Sequence, residues 1–294
     1  MKVNFMSLGS GSSGNCYYLW TEREGILIDA GVGIRKIKKI FRDHALSFSH
    51  IAAILVTHDH ADHIKAVGNI SQEMNLPVYT TREIHSGMDR SYCMTKKLTS
   101  DKRMYIHKCE PFQVGDFSIV CFEVPHDATD NVGYHINIDG KVFTFITDAG
   151  NITPVMAQYI SQTQYLIMEA NYDERMLIEG PYPYYLKQRI MSPIGHLCNA
   201  ELASYISENL PPRLAYIWMC HLSNDNNTPT LAYNTVADAL KKKGVVPGED
   251  LQLIPLKRTS PSEIYFFELK SGAVYCWASL DIACNADTFS RGRN

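Results

Sequence analysis

The sequence predicts an α/β chain in which short buried strands deliver polar loops into helices. Residues 51–56 are apolar and partly β-branched, the pattern of a buried strand, and Ile64, Val67 and Ile70 then recur at helical spacing. Between them lies the polar run Thr57-His58-Asp59-His60-Ala61-Asp62-His63, placed at a strand-to-helix junction. Farther on, Gly115-Asp116 and Asp139-Gly140 separate apolar runs and mark hairpins, so antiparallel strands join the helix-connected ones.

In chain order, residues 2–8 read as a first strand, followed by Gly9-Ser10-Gly11-Ser12-Ser13-Gly14-Asn15. This loop formally matches the dinucleotide pattern GxGxxG, with Asp29 about where a ribose-binding acid would stand. That pattern must open a helix, yet residues 16–20 are aromatic and residues 25–31 are again strand-like, so the order is strand–strand. Two readings remain: a plain hairpin turn, or a loop whose N–H groups and hydroxyls face a phosphate or sit beside the polar centre.

Ile34, Ile37, Ile40 and Phe41, opposed by Arg35, Lys36, Lys38 and Lys39, make an amphipathic helix whose basic face would ordinarily be solvated. Residues 76–80 read as a strand and 81–88 as a short helix, whereas 90–108 carry no clear pattern. Residues 112–124 are two strands across Gly115-Asp116, and 133–138 with 141–146 form a hairpin across Asp139-Gly140. Strands follow at 165–169 and 215–220, with helices at 200–209, capped by Asn199 or the preceding turn, and from about 230 to 243. Residues 251–255 and 264–269 read as closing strands. No repeat or linker interrupts the chain, so residues 1–271 are expected to form one domain. Residues 272–294 are expected to be a tail, disordered over 285–294.

The 45% apolar content supplies a sizeable core, and the net charge of −3 gives no global drive towards nucleic acid or membrane. Polyanion binding would therefore need a local basic patch. No apolar run of membrane-spanning length and no signal-peptide pattern stands out. The eight cysteines form no CxxC pair and read as reduced, buried thiols. Together these features predict a cytoplasmic protein with no membrane partner.

The imidazoles and carboxylates of residues 58–63 are costly to hold together unless a cation binds them. Neutral imidazole suits zinc, manganese or iron, and carboxylate suits harder divalent ions. His58 and His60 alternate in an extended segment and can face one metal, while Asp62 and His63, at the helix start, can turn to a second. The alternative is a solvated, histidine-rich loop.

This spacing, HxHxDH after an apolar strand, resembles the signature of the metallo-β-lactamase superfamily. The resemblance implies an αββα sandwich, two mixed β-sheets flanked by helices, with a one- or two-metal site between the sheet edges. It places a third ligand of the first metal at His126, just past a strand beside Pro125. It places a bridging aspartate at Asp148 and a second-metal ligand at His221 after the 215–220 strand. On this reading His58, His60 and His126 hold one divalent ion, and Asp62, His63 and His221 the other. Asp29 would fix a ligand histidine.

Taken together, residues 9–15, the 58–63 loop, His126-Asp127, Thr147-Asp148, Asn171-Tyr172-Asp173, Gly195-His196-Leu197 and His221-Leu222-Ser223 with Asn226-Asn227-Thr228-Pro229 resemble the YycJ/WalJ-type family of bacterial metallo-β-lactamase-fold proteins. Its members are described as metal-dependent 5′→3′ exonucleases acting on DNA. The resemblance thus implies a hydrolase that uses two divalent ions, zinc or manganese with iron a further option, to activate water against a phosphodiester of DNA. Asp62 would also orient that water. His196 would donate to the scissile phosphate or protonate the leaving oxygen, unless it is a structural histidine beneath Asn199. Ser10, Ser12, Ser13, Asn15, Asn171, Asp173 and Asn199 would line the substrate path. Lys187 and Arg189 could contact backbone phosphate or simply be solvated.

Two residues depart from the family pattern: Tyr172 replaces a histidine, removing an imidazole from the substrate side, and Cys198 replaces a serine. A hydrolase of small thioesters, lactones or cyclic phosphates on the same metals is the rival reading, and a binding or redox module with an altered metal site a third. The stretch between Asp148 and His221, read as a strand, loops and a helix, leaves no room for the large inserted domain of ribonuclease J-like enzymes.

Overall fold

The computed structural model describes residues 1–267. The chain first forms β1 (Val3–Gly9), β2 (Cys16–Trp20), β3 (Gly25–Ile28), α1 (Ile34–Asp43), β4 (Ile51–Leu55), α2 (Ala61–Ile64), α3 (Val67–Met74), β5 (Val78–Thr80), α4 (Arg82–Arg90) and β6 (Arg103–Tyr105). It continues through β7 (Pro111–Val114), β8 (Phe117–Glu123), β9 (Val132–Ile138), β10 (Lys141–Ile146), α5 (Pro154–Ile160), β11 (Tyr165–Glu169), α6 (Glu174–Glu179), α7 (Tyr184–Ile190), α8 (Asn199–Glu208), β12 (Tyr216–Cys220), α9 (Pro229–Lys242) and β13 (Gln252–Pro255). Finally β14 (Tyr265–Phe267) returns to pair with β1.

Two seven-stranded mixed sheets result, ordered β14-β1-β2-β3-β4-β5-β6 and β13-β12-β11-β10-β9-β8-β7. Each is antiparallel on one side and parallel on the other. β1 to β3 and β7 to β10 are antiparallel meanders, whereas β3 to β6 and β10 to β13 run parallel. Parallel neighbours need crossovers, and the helices supply most of them, covering the outer faces. This is the αββα sandwich expected. The arrangement also gathers the carboxyl ends of the parallel strands at one edge, where open α/β sheets place their sites.

Strands buried on both faces explain the unbroken apolar runs. Along β12, Trp218 and Cys220 enter the core between the sheets, while Ile217 and Met219 join the layer under the helices. Aromatic rings fill the inter-sheet space, with the Phe5 and Phe145 centroids 6.0 Å apart and Phe5 4.7 Å from the fully buried Trp218. α1 buries Ile37, Ile40 and Phe41, the face its spacing predicts. Asp139 and Gly140 adopt φ values of 51° and 76°, the left-handed pair that a two-residue hairpin of this twist requires.

Several expectations are corrected. The stretch between Asp148 and His221 holds α5, α6, α7 and α8 besides β11 and β12, not a single helix. α6 and α7 have six and seven residues, too short for a helical period to declare itself, and Pro181 and Pro183 punctuate them. Residues 103–105, within a segment that showed no pattern, form an edge strand. Of the two caps expected for α8, the preceding turn supplies it, through Cys198. Among the described cysteines Cys16, Cys121, Cys198 and Cys220 are buried and free, whereas the free Cys93 is half-exposed rather than in the core. The last expected strand is seen only as Tyr265–Phe267. Its remainder, the domain boundary at 271 and the expected disorder of 285–294 lie outside the described residues. Among those residues no helix is long and apolar enough to cross a membrane.

His135 on β9 is buried and shares a 2.9 Å hydrogen bond with Thr144 Oγ1. Burial pushes its pKa down to about 4, below the roughly 6.5 of an unfolded chain. The native state therefore favours the neutral ring, and its contribution is complete above pH ~6.5 and lost as pH falls towards ~4. Urea midpoints of wild type and His135→Gln should converge between pH 7 and 5, the wild type losing about 2 kcal/mol more at ~1.4 kcal/mol per pH unit. Parallel curves would contradict this assignment.

Candidate metal centre

The polar residues converge because strand ends and the loops that follow them deliver each one. β3 ends before Asp29, β4 before the 57–63 loop, β8 before His126, β10 before Asp148 and β12 before His221, while Glu169 closes β11. Val132 N donates to Thr57 O at 2.9 Å, joining the two sheets at this edge. Asn15 N donates to Asp62 O and Ala30 N to His63 O, so the Gly/Ser loop and the turn after β3 clamp the histidine loop from below. Gly31 allows that approach: a Cβ there would lie 1.5 Å from Asp62 O. No larger residue fits.

The hydrogen bonds settle which ring nitrogen of each histidine is free. Thr57 Oγ1 donates to Asp29 and so accepts from His58 Nδ1 at 3.1 Å. His126 Nδ1 donates to Gly195 O at 2.8 Å, and His60 Nε2 to Asp127 O at 3.2 Å. The lone pairs left over, on His58 Nε2, His60 Nδ1 and His126 Nε2, point inward together. His60 Nδ1 and His126 Nε2 are 3.3 Å apart with no proton to share, and His58 Nε2 is buried without a partner. Two facing lone pairs repel unless a cation lies between them. Burial first, then neighbouring His63, holds His58 well below the usual histidine range, and burial also lowers His126, so these rings stay neutral donors.

A second set lies beside the first. His63 Nδ1 donates to Asp29 Oδ2 at 2.7 Å, and His221 Nδ1 to Glu169 Oε1 at 2.9 Å. His221 Nε2 then faces Asp62 Oδ2 at 3.3 Å, and His63 Nε2 faces Asp148 Oδ2 at 3.1 Å. Asp148 Oδ2 accepts no hydrogen bond, although it is buried. The ligand atoms of His58, His60 and His126 lie within 4.8 Å of one another, as do those of Asp62, His63 and His221, and those of His58, His63 and Asp148. Burial opposes charge here, but Asp29, then Asp148 and Asp62, push His63 up to about 10. Burial alone would likewise raise Asp148, yet His221 and His63 hold it well below the carboxylate range. The donor set fits a divalent cation: clustered lone pairs on one side, carboxylates that attract positive charge on the other.

Glu169 was not singled out by the sequence reading. It is fully buried and accepts from His196 Nδ1 at 2.8 Å, His221 Nδ1, Leu197 N and Ala149 N. The signal was an acid closing the apolar strand Tyr165-Leu166-Ile167-Met168-Glu169. His196 is one-fifth exposed at the cleft, its ring centroid 5.0 Å from His126 and 5.3 Å from His221. Although burial opposes its charge, Glu169 raises its pKa.

The expected substrate residues divide sharply. Ser10 is buried, its hydroxyl sharing a 2.8 Å hydrogen bond with Tyr17 Oη and accepting from His221 N at 2.9 Å. Asn15 lies 2.9 Å from His63 Nε2, and Asn171 donates to His221 O at 2.9 Å. Asn199 is buried against Asn227, and Asp173 caps α6 through Met176 N. These side chains build the wall of the site, because buried polar groups take internal partners. Ser12 and Ser13 remain exposed on the loop. Lys187 is consumed by the Ile178 and Gly180 carbonyls, and Arg189 pairs with Asp127 at 2.5 Å.

Residues 24–217 match the family described as Beta-lactamase superfamily domain. The chain is 30% identical over 266 residues to exodeoxyribonuclease YycJ of Bacillus anthracis, covering 90% of this chain and 100% of that one. It is 34% identical over 247 residues to exodeoxyribonuclease WalJ of Streptococcus pneumoniae serotype 2, covering 84% and 91%. The crystal structure of the metallo-β-lactamase fold protein YhfI from Bacillus subtilis superimposes with a TM-score of 0.66 at 15% identity, over 91% of this chain and 100% of that one.

Because Asp29 fixes the tautomer and orientation of His63, Asp29→Asn should lower metal affinity about 10- to 100-fold while leaving the circular dichroism spectrum unchanged. Chelator competition on purified protein reads the affinity directly. Wild-type affinity in the variant would show that His63 needs no such support.

Proposed function

We propose that this chain, which belongs to the β-lactamase superfamily and within it to the family of the YycJ and WalJ exodeoxyribonucleases, is a metal-dependent 5′→3′ exonuclease acting on DNA. The observation that carries the metal dependence is the inward convergence of the His58, His60 and His126 lone pairs beside the Asp62, His63 and His221 set. His58, His60 and His126 would hold one divalent ion, Asp62, His63 and His221 a second, and Asp148 would stand between them. When bound, such ions activate water and clamp the oxygens of a phosphodiester.

The chain's own groups then act around that chemistry. Asp62, with its side chain 23% exposed, is placed to orient the attacking water and take its proton on a carboxylate oxygen. His196, held by Glu169 at Nδ1, presents Nε2 to the cleft for donation to the scissile phosphate or the leaving oxygen. Glu169 keeps both His196 and His221 in the tautomer these roles need. Zinc and manganese suit the His/Asp set, and iron also does. Among the described residues the free thiols of Cys16, Cys93, Cys121, Cys198 and Cys220 favour the cytoplasm.

The test uses metal-stripped protein reloaded with manganese or zinc and offered end-labelled single- and double-stranded DNA with 5′-phosphate or 5′-hydroxyl ends. Stepwise loss of nucleotides from the 5′ end is expected. In His58→Ala the rate should fall by at least about 100-fold, the order lost when an electrostatic stabiliser of the transition state is removed. No degradation with either metal, despite bound ions, would overturn the proposal and turn attention to thioesters, lactones and cyclic phosphates.

A further inference from the structure

The basic face of α1 is divided in two. On the far side Lys38 pairs with Glu73, Lys39 with Asp43, and Arg42 lies 3.8 Å from Asp43. In the first turn Arg35 and Lys36 are exposed, and no acid accompanies them there. Cations at the positive end of a helix are mildly unfavourable by themselves, so local helix stability does not explain their placement.

A second pair of cations reaches the same place from the far end of the chain. Lys36 Nζ donates to Thr259 O, which puts the first turn of α1 against the segment Lys257-Arg258-Thr259. Arg258 O accepts from Ser10 N at 3.2 Å, and the Arg258 stem passes over Gly11, where a Cβ would stand 3.1 Å from Cγ. Arg258 Nη1 donates to Ser223 O at 2.8 Å, two residues from His221. Ser12 and Ser13 are exposed on the loop enclosed by these elements, and Asn15 at its end lies 3.3 Å from Asp62 Oδ2. Among the described residues Arg35, Lys36, Lys257 and Arg258 form no ion pair, although Asp225 is near enough to Arg258 to feel its charge. On a chain of net charge −3, such a set of unneutralised cations beside a metal centre is a local exception.

We propose that Arg35 and Lys257, backed by the positive charge of the carbonyl-bound Lys36 and Arg258 and by the hydroxyls of Ser12 and Ser13, form a rim that binds the sugar-phosphate backbone of the polynucleotide strand entering the centre. This deepens the nuclease reading and rests on it. The rim recognises successive phosphates, not bases, so it holds a strand irrespective of sequence. The segment 257–259 lies beyond the matched family region, and in this rim it gains a role.

The test measures binding of a fluorescent single-stranded phosphorothioate oligonucleotide, which resists cleavage, to the metal-loaded protein by anisotropy from 50 to 200 mM salt. Each cation that neutralises a phosphate contributes about 0.7 to the slope of log Kobs against log salt. Arg35→Gln/Lys257→Gln should therefore flatten the slope by about 1.4 and weaken binding at 100 mM by roughly tenfold. Lys38→Gln/Lys39→Gln, which removes cations already paired on the same helix, should leave the slope at the wild-type value. Thermal midpoints check that both variants fold. An unchanged slope in the first variant, or equal flattening in both, would overturn the rim even if the wild type degrades DNA. A flattened slope in the first variant alone would support the rim even if the wild type degrades no DNA, in which case the nuclease reading fails by itself.

Discussion

The hydrogen bond from His63 Nδ1 to Asp29 is the contact on which the site depends. Asp29 is fully buried, and both its oxygens are engaged, Oδ1 by Thr57 N and Oδ2 by Thr57 Oγ1 and His63. A buried carboxylate is tolerable only when satisfied in this way. The satisfaction itself fixes the histidine loop, because Thr57 bound to Asp29 can accept from His58. One acid thus sets the free nitrogen of two rings. Asp29 reaches this position with φ of 58°, a left-handed conformation that costs a non-glycine residue about 1–2 kcal/mol. His221, on the opposite sheet, has φ of 52°. At both positions the surrounding hydrogen bonds offset the strain.

Glu169 repeats the device on the second sheet. It ends a parallel strand as Asp29 follows one, is buried, and holds the Nδ1–H groups of His196 and His221. The repetition follows from the topology. Each sheet passes from an antiparallel meander to parallel strands, so each brings carboxyl ends of parallel strands to the same edge of the sandwich. A centre placed between these edges draws ligands from both halves of the chain, and neither half is complete alone.

Much of this was legible in the sequence where local chemistry left a local mark. The β-branched strand before His58, the Asp139-Gly140 turn and the face of α1 formed by Ile37, Ile40 and Phe41 each satisfied a short-range rule. That these side chains come together was legible through the HxHxDH spacing and the order of His126, Asp148 and His221 behind it. What stayed hidden depends on distant partners. Ser10 looked like a phosphate-facing hydroxyl, but its partners are Tyr17 and the backbone of His221, 211 residues away. Lys187 was open to phosphate or to solvent, but the carbonyls at the end of α6 are its partners. Glu169 was hidden for the opposite reason: a single acid at a strand end means little until the histidines it orients are placed beside it.

The two departures from the family pattern acquire a common explanation in the same terms. Tyr172 is buried and packs with Leu177 and Cys198 in a small cluster apart from both main cores, against Tyr182, Ile190 and Met191. The backbones of Tyr172 and Cys198 pair in an isolated bridge, and Asn199 N donates to Tyr172 O. Cys198 Sγ accepts from Glu201 N at 3.3 Å while Glu201 reaches back to Cys198 N, so the thiol does the capping work a serine hydroxyl would do. Tyrosine and cysteine are both more apolar than histidine and serine, and here they lie against each other. Tyr172 and Cys198 thus belong to the apolar base on which α6 and α7 rest, while the nitrogens and carboxylates of the centre take their places from Asp29, Glu169 and the strand ends.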